Sequence, residues 1–98
     1  MQMQIIENWA HIEGRVESVE PNKEHAGFVT AQVAVKAANP VPGFPNLFAD
    51  APGQTIPLNL PTEVSERLKV RPGVTLSAWV RKSRPGQAFT HPDRVEVR

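Results

Sequence analysis

Apolar and polar residues alternate with a period of two over several short stretches, separated by prolines and glycines. Successive side chains of an extended chain point to opposite faces, so each stretch predicts a strand with one buried face. In residues 10–19, Ile12, Gly14 and Val16 alternate with Glu13, Arg15 and Glu17. A mid-strand glycine weakens a strand unless the chain bends or bulges there, as a first strand serving both halves of a barrel must. Residues 20–26 read as a polar turn. Residues 27–36 form the clearest strand, with Val29, Ala31, Val33 and Val35 on one face and Phe28, Thr30, Gln32, Ala34 and Lys36 on the other. Small and β-branched residues suit a narrow barrel interior.

Residues 37–54 are predicted to be a long connection, with prolines at 40, 42, 45 and 52 that block a helix. Its Val41, Phe44, Leu47 and Phe48 argue against a solvated linker. They predict either a flap folded back on itself or a docking element for another protein or a second copy. A third strand follows at 54–60, with Ile56, Leu58 and Leu60 inward and Thr55, Pro57 and Asn59 outward. Pro57 places that strand at an edge or a bulge. Thr62 is placed as the cap of a short helix, 63–68, with Val64 and Leu68 as its apolar pair. Pro72-Gly73 turns into a fourth strand, 74–80, which puts Trp79 opposite the aliphatic face. Residues 81–87 read as a hairpin loop, and a fifth strand falls within 89–97, most securely over 94–97. Trp9, just ahead of the first strand, is expected to plug the barrel end.

Ninety-eight residues make one domain, here 1–98 with 1–9 as an N-terminal extension. The chain has no cysteine, which excludes disulfides, thiolate metal sites and thiol nucleophiles. The N-terminus lacks a basic region followed by an apolar run, so the expected location is cytoplasmic. Net charge is +1, but residues 1–66 carry three basic and eight acidic side chains and residues 67–98 eight basic and two acidic. That segregation predicts either a basic face for a polyanion or charges that mix once strands interleave.

Strand, strand, strand, short helix, strand, strand, with a glycine inside the first strand, resembles the OB-fold of bacterial single-strand DNA-binding and primosome proteins. The residues carrying the likeness are Ile12-Glu-Gly-Arg-Val16, the strand from Phe28 to Lys36, the helix at 62–68, and Val70-Arg-Pro-Gly73 before the fourth strand. The resemblance implies an all-β, five-stranded Greek-key barrel with one helix between strands 3 and 4. It also implies a ligand lying across strands 2 and 3, between the loops joining strands 1–2 and 4–5. Mapped onto this chain, the second strand supplies Phe28, Thr30, Gln32 and Lys36, and the third Thr55 and Asn59. The first loop supplies Lys23 and His25, and the last hairpin Arg81, Lys82 and Arg84. Phe28 is the one aromatic clearly placed for base stacking, fewer than single-strand binders ordinarily present.

Other chemistry is thinly represented. His11, His25 and His91 have no ligand spacing, so no metal or cofactor is expected. Without a phosphate loop, nucleophile motif or carboxylate pair, the expectation is a binding module and no enzyme. The expected partner is single-stranded nucleic acid, and the alternative is a protein or a homo-oligomeric contact through the 37–54 loop.

Overall fold

The computed structural model describes residues 7–84 and 87–98. Its elements are β1 (Ala10–Pro21), β2 (Phe28–Pro40), β3 (Thr55–Pro61), α1 (Thr62–Leu68), β4 (Thr75–Arg84) and β5 (Gln87–Val97). The strands close into one barrel in the order β1-β2-β3-β5-β4, with β4 returning to β1. Neighbours run antiparallel except β3 and β5, which meet in parallel at Asn59 and Phe89. This is the all-β, five-stranded Greek-key arrangement of the OB type, with a short helix between β3 and β4.

Closure depends on β1, which pairs with β2 along one edge and β4 along the other. A strand bordering both halves of a small barrel must coil strongly, and register shifts at Glu13/Gly14 and Val16/Ser18 provide the bend. A Cβ at Gly14 would overlap the Ala34 carbonyl and lie 2.7 Å from Val33 Cγ1. Glycine is therefore required there by close backbone approach. The predicted inward rows fill the interior: Ile12, Val16, Ala31, Val33, Leu58, Leu60, Leu76, Ala78 and Val80 are essentially inaccessible.

Helix α1 covers one end, burying Val64 and Ser65 and packing Leu68 against the core. Thr62 is not its cap. Pro61 holds the N-cap position, no side chain caps the helix, and the Thr62 amide instead donates to the Gly27 carbonyl (2.9 Å). The reason is local: β3 continues through Pro61, so the helix begins directly at the strand's end, one residue earlier than the sequence indicates.

Three other boundaries move outward. Strand β2 continues to Pro40 because Ala37–Pro40 pair with the start of β1, so the long connection runs over 41–54 instead of 37–54. Strand β4 continues through Arg84 and β5 begins at Gln87; residues 85–86 between them lie outside the described residues. Residues 81–84 are thus strand where a loop was expected. Cross-strand pairing supplied a ladder to residues whose own strand signal is weak.

The 41–54 connection folds back on the barrel. Val41 and Phe48 are buried, Phe48 within the main core, and Leu47 stands 45% exposed. Asn46 braces the segment, its Nδ2 donating to the Ala38 carbonyl (3.2 Å) and its Oδ1 accepting from the Phe48 amide (2.9 Å). No helix among the described residues is long and apolar enough to cross a membrane.

Candidate nucleic-acid interface

Strand alternation places several rings on the barrel's outer surface. In β5, Ala88 and Thr90 turn inward while Phe89 and His91 are half-buried on the outside. Phe89 stands opposite Arg81 of β4 and beside Asn59 of β3. Phe28, at the start of β2, reaches Phe89 with ring centroids 5.7 Å apart, and His25 from the β1–β2 loop completes a cluster at 5.6 Å from Phe89 and 6.4 Å from Phe28. All three pairings are edge-to-face, the arrangement favoured by the ring quadrupole.

His25 holds its place through Asn22. The Asn22 side-chain oxygen accepts the amides of Glu24 (2.8 Å) and His25 (3.0 Å), an Asx-type turn that orders the loop tip. Its Nδ2 donates to Asn59 Oδ1 (2.9 Å), which also accepts the Thr30 hydroxyl (2.7 Å). Asn59 in turn donates to the Ala88 carbonyl (3.1 Å) across the β3–β5 seam.

A second cluster forms where the chain enters β1. The buried Asn8 amide donates to the Lys82 carbonyl (3.0 Å) and accepts the Lys82 amide (2.8 Å), so this side chain substitutes for a strand neighbour of β4. The anchor sets Trp9 against His91 (5.1 Å) and Trp79 (6.2 Å), with Trp79 6.2 Å from His91. Trp9 is therefore not an end plug. It lies on the outer surface, half-buried, with its indole N–H donating to Glu7 Oε1 (3.3 Å). The Arg94 guanidinium covers Trp79 from 4.9 Å.

One groove of about 460 Å³ joins the clusters, lined by Trp9, His25, Phe28, Pro61, Arg81, Phe89, Thr90, His91 and Pro92. Arg81 is exposed and is, among the described residues, the single formally charged member of that lining. Two neighbouring grooves differ in charge. Lys23 shares its groove with Glu20 and Glu24, and Arg94 shares its own with Asp93 and Glu96. A phosphate entering either would meet more carboxylates than cations, whereas in the aromatic groove the charged side chain in the described lining is the Arg81 guanidinium, with the Glu7 carboxylate held on Trp9 at its margin.

The residues mapped by family resemblance consequently separate. Phe28 and Arg81 meet in the aromatic groove. Lys23, Thr30 and Asn59 line the acidic groove next to it, and Asn59, on the outer face as parity predicts, is buried there with its amide committed to Asn22, Thr30 and Ala88. Gln32 is half-buried on the outer row, Lys36 is exposed toward the other end of β2, and the Thr55 hydroxyl donates to Glu17 (2.8 Å). Lys82 faces away from Arg81, its Nζ 5.3 Å over the Phe48 ring in a cleft beside Leu47 and Ile56. The Arg84 side chain lies outside the described residues. The basic run is thus divided, because adjacent strand residues take opposite faces. Of the charge segregation in sequence, the spatial mixing of signs is what these grooves display.

Sequence reasoning missed Trp9, Trp79, Phe89 and His91 as members of one surface. A usable signal was present, since Phe89 and His91 share strand parity, but the start of β5 was not legible without its partner. No protein-family model matches this chain, and no curated protein matches its sequence.

Proposed function

We propose that this protein is a binding module, not an enzyme, that holds single-stranded DNA or RNA in its aromatic groove, in the manner of OB-type single-strand binders, within the cytoplasm. The observation that carries this reading is the pair of ring clusters that share one groove with Arg81. Unpaired bases expose their π-faces, and each base stacked on an aromatic side chain contributes about 1–3 kcal/mol. A duplex has those faces already stacked, so the groove favours single strands. The phosphate contact adds binding that weakens with salt through counterion release.

Fluorescence anisotropy of labelled oligo-dT and oligo-U, titrated with protein at low and raised salt, tests it. Binding at low salt that falls with added salt and with Arg81→Ala is the expected result. No binding at low salt, or equal binding of a duplex of the same length, overturns the proposal.

A second reading, docking of a protein or another copy through the 41–54 connection, draws on one observation: Leu47 is the large apolar side chain left exposed there. The burial of Val41 and Phe48 leaves that surface small.

A further inference from the structure

We infer that the aromatic groove takes two consecutive nucleotides without reading their sequence, one base on each ring cluster and the intervening phosphate on Arg81; this rests on the nucleic-acid reading above. The ring contacts fall into two groups, His25–Phe28–Phe89 and Trp9–Trp79–His91, and members of both line one groove. Arg81 belongs to that same lining and pairs across the ladder with Phe89, at the edge of the first group. A guanidinium presents a planar fork of donors suited to phosphate oxygens.

The two tryptophans have different roles. Trp9 lines the groove, whereas Trp79 lines the neighbouring one and has Arg94 stacked on it. A base arriving in the aromatic groove therefore meets Trp9, and Trp79 supports Trp9 and His91 from behind.

Indifference to sequence follows from what the lining lacks. Base edges are distinguished chiefly by Asn, Gln, Asp, Glu and bidentate Arg or Lys. Among the described residues the lining contains no side-chain amide or carboxylate, its Arg81 is given to the phosphate, its Thr90 is buried, and His91 Nδ1 already accepts the Asp93 amide (3.1 Å). Stacking surfaces remain, and they accept every base.

The experiment combines tryptophan fluorescence with a length and sequence series: thymidine oligomers from one nucleotide upward, and dA and dC oligomers of one length. Affinity should rise sharply from one nucleotide to two or three and then level off apart from statistical gain, with little preference among dT, dA and dC. Ligand-induced quenching should persist in Trp79→Phe and largely vanish in Trp9→Phe. Phe89→Ala should weaken binding roughly 5- to 150-fold, the loss of one stacked base. Arg81→Ala, at an exposed position, should reduce the slope of log K against log salt by about 0.7, one phosphate on a single strand. If no oligomer binds to the wild type, the nucleic-acid reading itself falls. If oligomers bind but quenching follows Trp79, the Arg81→Ala slope is unchanged, or one base is strongly preferred, only the two-nucleotide inference is overturned.

Discussion

Gly14 is the residue on which barrel closure turns. Its conformation is ordinary for any amino acid, so what requires glycine is space: the Ala34 carbonyl and Val33 side chain occupy the position of a Cβ. Relief would need movement of the β2 backbone at the tightest part of the coil. Gly14→Ala should therefore destabilise the fold by about 1–3 kcal/mol, the usual range for overpacking. Urea denaturation followed by circular dichroism measures this, and an unchanged midpoint would show that β2 yields freely. The alternation of Ile12, Gly14 and Val16 with charged residues pointed to this glycine in the sequence alone. Asn59 was read less well. Parity in β3 put it outward, but burial and bonds to Asn22, Thr30 and Ala88 make it a structural link between three strands and a loop. Parity predicts a face and says nothing of which loops cover that face.

The β1–β2 loop and the β4–β5 hairpin are the elements that build the groove. The loop presents His25 because Asn22 accepts two of its amides and ties it to β3 through Asn59. Replacing Asn22 with alanine removes all these side-chain bonds while leaving the Asn22 backbone bond to the Phe28 carbonyl (3.0 Å) in place. Asn22→Ala should cost about 1–2 kcal/mol in stability. It should also weaken oligonucleotide binding although Asn22 is not in the aromatic lining. Thermal unfolding and anisotropy together check this; a destabilised variant with undiminished affinity would show that His25 needs no such support. In the hairpin, the sequence predicts the run Arg81-Lys82-Ser83-Arg84 as a cluster of cations on a loop. As strand, it sends Arg81 to the rings and Lys82 to Phe48. The residue types were legible and their division was not, because it depends on where β4 ends.

For the whole molecule, the question is whether one barrel acts alone. The 41–54 connection uses Val41, Phe48 and Ala51 to cover the barrel and leaves Leu47, with half-buried Phe44, at the surface. Isolated exposed apolar residues are normal on monomers. Light scattering should accordingly give the same mass for the wild type and for the pair of substitutions Phe44→Ser and Leu47→Ser. A drop from dimer to monomer in the variant would instead favour docking through this segment.

The sequence by itself determined the strand count, the helix between β3 and β4, the inward rows and the bend at Gly14. These follow from side-chain parity, turn residues and local sterics, which operate within a few residues of one another. Only the tertiary structure decided the aromatic groove. Trp9, Phe28, Arg81, Phe89 and His91 come from three strands and the entry to a fourth, and share a groove because closing the barrel places β2, β3, β5, β4 and β1 side by side. Stacking capacity and local charge depend on distances between such remote residues, and those distances exist only once the strands have paired.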